Sequence, residues 1–304
     1  MAAPKTLSLK SEHDGLTLSL AEILPDGGPK GLVQISHGIA EHKERYYPLM
    51  EALVQHGYAC IINDHRGHGR SVRSGQDLGY FYDDGANGLI RDLKQVSDLF
   101  RADHPSLPLF LIGHSMGALA ARAYAARYGG SLAGLILSGN PGENAAAAAG
   151  LLLTRISALV HGGGRGKSRL LDNMISGSFS KPFPGGSPFA WLSANGENVS
   201  AYEADPLCGF PFTVNGYQAL LKLMLAAYDR RSPMPGELPV HCMSGENDPC
   251  APDRKGFDAA VQNLRDRGSR NVTSIMYPGL RHEIFNERVP QVISDLIGRL
   301  DSWL

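Results

Sequence analysis

Short apolar runs alternate with amphipathic segments along most of this chain, and this alternation limits its fold more than any other feature. The runs with strand character cover residues 31–36, 58–63, 108–112, 132–137, 238–244 and 272–277. The segments with helical spacing cover residues 46–55, 89–102, 116–128 and 290–303. Such alternation predicts βαβ units that build an α/β fold with a mostly parallel central sheet flanked by helices. Residues 6–24 precede it and read as a hairpin that turns near Asp14-Gly15.

The alternation is interrupted in the second half of the chain. It stops near Asn140 and resumes at residue 238, and the intervening sequence contains an Ala/Leu-rich segment and two Gly-rich stretches. We therefore predict a core formed by residues 1–140 and 216–304, with residues 141–215 inserted as a cap over the carboxyl edge of the sheet.

Composition narrows the function classes. The formal net charge of −1 on 304 residues gives no long-range attraction to nucleic acid. The cysteines lack C-x-x-C spacing, which favours neither a metal site nor a disulfide framework; they are Cys60, Cys208, Cys242 and Cys250. No apolar stretch reaches the ~20 residues that a membrane span needs, and no signal peptide is evident. These features predict a cytoplasmic protein.

The motif with the clearest chemistry is G-x-S-x-G at residues 113–117. It directly follows an apolar strand and directly precedes a helical pattern. Its glycines permit the sharp strand-to-helix turn that exposes the hydroxyl of Ser115. A Gly/Ser turn that has no catalytic role would need neither the strand before it nor the helix after it. We therefore predict that Ser115 is a nucleophile.

A serine hydroxyl is a weak nucleophile at neutral pH, so it requires a histidine base and a carboxylate that orients the base. In this type of fold the acid and then the histidine follow the serine along the chain. Asp248 comes just after the strand at residues 238–244, with Glu246 and Asp253 as alternatives, and His282 follows the last strand. We predict that Ser115, Asp248 and His282 form a catalytic triad.

Two backbone amides should stabilise the oxyanion that forms during attack on a carbonyl. Met116 follows the nucleophile and supplies one amide. The second is expected from the loop after the strand at residues 31–36, where we choose Ile39.

Several other motifs suggest chemistry that we reject. Four histidines could lie near the site, but each precedes the acid in the chain and is predicted to be structural or to support the catalytic residues: His37, His65, His68 and His114. His65 and His68 could suggest a metal site, but no carboxylate or cysteine stands at ligand spacing from them, so no metal is expected. The stretch 161–168 resembles both an esterase oxyanion motif and a phosphate-binding loop, but no strand precedes it. We predict no cofactor.

Four segments, at residues 37–42, 64–71, 113–117 and 279–287, resemble the monoacylglycerol lipase and lysophospholipase family of the α/β-hydrolase superfamily. The resemblance implies hydrolysis of esters of a single acyl chain, with the triad and oxyanion residues named above. The alternatives on the same scaffold are aminopeptidase, perhydrolase or carbon–carbon bond hydrolase activity, or a binding protein without catalysis.

The cap departs from the family pattern. Residues 145–160 are largely apolar, and we hypothesise that this helix gates an acyl pocket through Leu152 and Leu153. It would also make transient, peripheral contact with a membrane surface. A helix buried against the core fits the same periodicity equally well. The expected partner is a small-molecule lipid or ester substrate, and the sequence does not set the oligomeric state.

Overall fold

An eight-stranded sheet runs through the computed structural model, which describes residues 3–175, 177–251 and 253–304. The strands are β1 (Lys5–Lys10), β2 (Thr17–Ile23), β3 (Gly31–Ser36), β4 (Tyr58–Asn63), β5 (Leu109–His114), β6 (Gly134–Ser138), β7 (Val240–Gly245) and β8 (Val272–Tyr277). Their order across the sheet is β1-β2-β4-β3-β5-β6-β7-β8. The hairpin β1–β2 joins β4 in antiparallel fashion, and all later pairs are parallel. The predicted α/β-hydrolase fold is confirmed.

Helices cover both faces of the sheet. The helices are α1 (Tyr47–Gln55), α2 (Gly85–Ala102), α3 (Met116–Tyr128), α4 (Ala147–Val160), α5 (Arg169–Ile175), α6 (Gly196–Ala204), α7 (Val214–Tyr228), α8 (Arg254–Asp266) and α9 (Pro290–Asp301). Apolar side chains of α1 and α9 pack with one face of the strands. Those of α2, α3, α7 and α8 pack with the other face. Within the ranges described, no helix is long and apolar enough to cross a bilayer.

The register of the parallel strands brings the functional loops to one edge. Ser36 at the end of β3 pairs with Gly113 in β5, and His114 pairs with Ser138 at the end of β6. The loops that follow β3, β5 and β6 therefore leave the sheet side by side. Ligands of open α/β sheets bind at this carboxyl edge.

The helices α4, α5 and α6 lie between β6 and β7 in the chain, within the predicted cap. The proposed boundary between residues 215 and 216 falls in the first turn of α7. This helix packs against both α3 and α4, so it connects the inserted segment with the core. A separate aromatic cluster around Trp191 and Tyr202 stabilises the later part of the insertion.

Candidate active site

The turn at Ser115 has the strained geometry that the G-x-S-x-G motif predicts. Ser115 adopts φ 54° and ψ −120°, a conformation that L-residues rarely occupy. A Cβ atom on Gly117 would lie 2.0 Å from the carbonyl oxygen of Ser36, and one on Gly113 would lie 2.6 Å from that of Gly117. The two glycines therefore let β5, α3 and the end of β3 pack closely enough to hold this turn.

Asp248 and His282 are hydrogen-bonded to each other. The Nδ1 atom of His282 lies 2.9 Å and 3.0 Å from the two carboxylate oxygens of Asp248. The backbone amide of Cys250 and the hydroxyl of Ser244 also donate to this carboxylate, at 2.8 Å and 3.2 Å. Both side chains of the pair are buried, so the carboxylate can fix the orientation and the tautomer of the imidazole.

Burial and charge oppose each other in the pKa values of this pair. Burial alone would raise the pKa of Asp248, but the neighbouring His282 outweighs it and lowers that pKa below its usual value. Burial alone would lower the pKa of His282, whereas the charge and hydrogen bond of Asp248 raise it well above the usual value. Asp248 therefore stabilises the imidazolium that forms when His282 accepts a proton.

The imidazole of His282 lies close to the serine turn. Its ring centroid is 4.7 Å from that of His114, the residue before Ser115. Its Nε2 atom is buried and has no hydrogen-bond partner among the residues that the structure describes. This is the nitrogen that a general base would offer to the serine hydroxyl, since Nδ1 is held by Asp248.

Ile39 and Met116 line the same cavity as Ser115. Met116 is the first residue of α3, where a backbone amide has no carbonyl partner within its own helix. Ile39 lies in a loop whose preceding residue, Gly38, is held in place: the amide of Gly38 donates a hydrogen bond to the buried carboxylate of Glu41. The arrangement can present two amides to an oxyanion next to the serine.

The alternative residues have structural partners instead. Glu246 is exposed, and Asp253 caps α8 by accepting a hydrogen bond from the amide of Gly256. His37 contacts His65 with ring centroids 4.1 Å apart and the rings tilted by 35°, and burial lowers the pKa of both. The glycine-rich stretch at 161–164 forms a turn after α4 and so follows a helix, not a strand.

An ion-pair network beside Asp248 and His282 was not predicted. Arg45 donates to both carboxylate oxygens of Glu283, the residue after His282, at 2.6 Å and 2.7 Å. Arg45 also pairs with Glu41, and Asn198 of α6 donates to Glu283. Burial alone would raise the pKa of Glu283, but Arg45 outweighs it and lowers the pKa to about 2. The only sequence signal was the charged run 41–45 after β3.

The cavity at Ser115 has a volume of about 220 Å³. Its lining is mainly apolar and comes from the sheet edge, from α5 and α7, and from the cap segment between α5 and α6. The apolar side chains are those of Ile39, Met116, Leu119, Pro141, Met174, Ile175, Phe179, Trp191, Leu220, Met224 and Pro249. A hydrophobic acyl chain fits such a surface.

The placement of Leu152 and Leu153 differs from the predicted gate. Both side chains lie on the outer surface of α4, 59% and 40% exposed, and neither lines the cavity at Ser115. The face of α4 that packs against α7 contains small residues such as Gly150, where an added Cβ atom would lie 3.1 Å from the side chain of Leu221. The apolar wall of the cavity is supplied instead by α7 and by Met174 of α5, so the choice of Leu152 and Leu153 as the gate was wrong.

Two clusters of potential metal ligands occur among the described residues, and both have other partners. Asp248 and His282 in the first are bound to each other. In the second, the two ring nitrogens of His42 lie 2.6 Å from Glu44 and 2.9 Å from Asp205. An imidazole that donates to two carboxylates has no lone pair for an ion.

Comparison with known proteins agrees with this geometry. Residues 27–289 match the family described as "Serine aminopeptidase, S33". A monoacylglycerol lipase of Mycolicibacterium smegmatis is 30% identical, and the alignment covers 98% of each chain. The monoglyceride lipase of Mus musculus is 29% identical over 96% of this chain and 88% of its own.

The structural comparison extends the likeness to the whole fold. A thermostable carboxyl esterase from Bacillus coagulans, solved with glycerol, superimposes with a TM-score of 0.91 at 26% identity, covering 99% of both chains. The chain therefore belongs to the serine aminopeptidase S33 family of α/β-hydrolases, as a serine ester hydrolase of the monoacylglycerol lipase type.

Proposed function

We propose that this protein hydrolyses carboxylic esters that carry one acyl chain, with glycerol monoesters or lysophospholipids as the substrate class. The observation that carries the proposal is the apolar cavity that opens on Ser115. A single alkyl chain can bury its methylene groups there at ~0.8 kcal/mol each. The names of the lipase relatives support the same class of substrate.

In the proposed reaction, Nε2 of His282 takes the proton of Ser115 while the serine oxygen attacks the ester carbonyl. The amides of Ile39 and Met116 stabilise the tetrahedral oxyanion, and Asp248 stabilises the imidazolium. The imidazolium then protonates the departing alcohol, which leaves an acyl-enzyme. Water attacks this ester with the same histidine as base, and the carboxylic acid and the free serine are released.

An aminopeptidase would need an acidic group in the cavity to bind a free amino terminus. Among the described residues, no aspartate or glutamate lines the cavity at Ser115. The cap acids Glu197 and Glu203 lie at the surface, where they pair with Arg288 and Ser187. This placement supports an ester with an uncharged acyl chain rather than a peptide.

The experiment compares a chain-length series of glycerol monoesters with lysophospholipids of the same acyl groups and with aminoacyl anilides. We expect kcat/KM for the esters to exceed that for the anilides, and to rise with acyl length until the cavity is full. Ser115→Ala is the matched control and should lose this activity. Faster hydrolysis of the anilides, or ester hydrolysis that persists without Ser115, would refute the proposal.

The outer surface of the cap supports a second element, a peripheral contact with lipid surfaces. Six exposed apolar side chains of α4 and α5 do not line the cavity at Ser115: Leu152, Leu153, Ile156, Leu159, Val160 and Leu170. Exposed basic residues accompany them, including Arg155, Lys167 and Arg169. An apolar face with a basic margin favours binding to the interface of a bilayer with anionic lipids.

Sedimentation with vesicles of mixed neutral and anionic phospholipid tests this contact. Leu159, which is 87% exposed, is replaced by Asp, and Leu99→Asp on α2 serves as the matched control because Leu99 is also exposed but lies outside the cap. We expect Leu159→Asp to reduce the bound fraction and Leu99→Asp to leave it unchanged. Equal binding by both variants would argue against the contact.

A further inference from the structure

Trp191 is held firmly against the loop that carries His282. The tryptophan lies in the segment between α5 and α6, and its side chain is only 6% exposed. The amide of Glu283 donates to the carbonyl of Leu192 at 2.7 Å. Arg281 donates to the carbonyl of Ala190 at 2.6 Å. Residues on both sides of Trp191 are thus bonded to both neighbours of His282, so the indole and the imidazole keep a fixed relative position.

The indole contacts the imidazole directly. The ring centroids of Trp191 and His282 are 4.9 Å apart with an interplanar angle of 45°. Phe179 packs on the indole at 4.8 Å. Because the indole is itself packed, it restricts rotation of the His282 ring beyond what the hydrogen bond to Asp248 achieves.

Trp191 also stands between two cavities. One is the apolar cavity of about 220 Å³ at Ser115, and the other has a volume of about 300 Å³. The second cavity is lined by residues of the segments 172–191 and 202–217, many of them aromatic, together with Ile39 and Ala40, and Ser115 does not line it. Among the residues that the structure describes, three line both cavities: Ile39, Ile175 and Trp191. Trp191 has the largest side chain of the three, so it forms most of the partition.

We propose that Trp191 is a positioning and specificity-determining residue, whose indole orients His282 and closes the second cavity to the acyl chain. This inference rests on the proposed ester hydrolysis. The indole confines the acyl chain to the cavity at Ser115 and thereby sets the longest chain that the enzyme accepts. Removal of the indole joins the two cavities, so a longer acyl chain can enter the second cavity and make apolar contacts that it cannot make in the native enzyme.

The test measures kcat and KM for p-nitrophenyl esters from butyryl to palmitoyl, with Trp191→Ala, Trp191→Leu and Trp191→Phe. In Trp191→Ala the ratio of kcat/KM for palmitoyl over butyryl should rise about tenfold, which corresponds to roughly two more buried methylene groups. Because Trp191→Ala no longer orients the His282 ring, kcat for the butyryl ester should fall without a matching change in KM. Trp191→Phe keeps an aromatic face against His282 and should restore much of that kcat.

Trp303 supplies a matched control, since it is the second tryptophan of the chain and packs on Phe110 at the opposite end of β5. Trp303→Ala should leave the chain-length profile unchanged. A parallel fall of kcat/KM at every chain length in both Trp191→Ala and Trp191→Leu would overturn the inference. Absence of ester hydrolysis in the unmodified enzyme would instead refute the proposed function itself.

Discussion

Replacing Gly117 with alanine adds a methyl group where the first turn of α3 meets the end of β3. The new Cβ would lie 2.0 Å from the carbonyl oxygen of Ser36 and 2.5 Å from that of His37, whereas real Cβ contacts stay above 3.0 Å. Both neighbours are backbone atoms, so no side-chain rotation relieves the clash. The helix and the strand must therefore separate by about 1 Å, at a cost of ~1–3 kcal/mol in the free energy of unfolding.

The same displacement reaches the oxyanion site, because Ser36 and His37 lead directly to Ile39. A shift of ~1 Å in catalytic groups lowers kcat by about 10²-fold. The assay combines urea unfolding with hydrolysis of p-nitrophenyl butyrate. Gly298→Ala in α9 is the control, because its Cβ meets nothing within 4 Å. It should raise stability by ~0.5–1 kcal/mol. Native stability and native kcat in Gly117→Ala would refute the close packing described here.

Three further outcomes follow from the charges at the site. Asp248→Asn should lower kcat by about 10⁴-fold without unfolding the protein; a loss below about tenfold would mean that another acid orients the histidine. Because neutral His282 is the active form and its pKa is raised, kcat/KM should fall with decreasing pH from a midpoint above the usual value of ~6.5. A midpoint at or below that value contradicts the assigned pair. Glu283→Gln removes one of the two carboxylates that pair with Arg45 and leaves Glu41 as the other, so it should lower the free energy of unfolding by ~1–3 kcal/mol at neutral pH. The pKa of Glu283 in the folded protein is lowered to about 2, below the value of ~4.3 for an unfolded glutamate. Its carboxylate therefore stabilises the folded state above ~pH 4.3, and this stabilisation is lost as the pH falls towards 2. Urea unfolding at several pH values should show that the variant lacks this dependence.

The core strands and helices could be predicted from the sequence because each buries a continuous or periodic apolar set. The bounds of β3, β4, β8 and α3 agree with the predicted segments. That Ser115, Asp248 and His282 lie near one edge could also be predicted, since each is in the turn or loop that follows a strand and parallel strands end at one edge. Their joint action as a triad stays a prediction. The helices α5, α6, α7 and α8 were not predicted.

Contacts that join distant segments could not be predicted from local patterns. Arg45 meets Glu283 across 238 positions of sequence, and nothing near either residue indicates the other. The exposure of Leu152 and Leu153 could not be predicted for a different reason. Apolar residues surround much of α4, so its sequence does not show which face is buried. Trp191 likewise acquires its contact with His282 only through the folding of the cap.

Labelling with a fluorophosphonate, followed by identification of the modified peptide, tests the central claim most directly. We expect a single adduct on the hydroxyl of Ser115, formed rapidly in the folded enzyme and much more slowly in His282→Ala. A stable adduct on a different residue, or labelling at the native rate without the imidazole, would contradict the account.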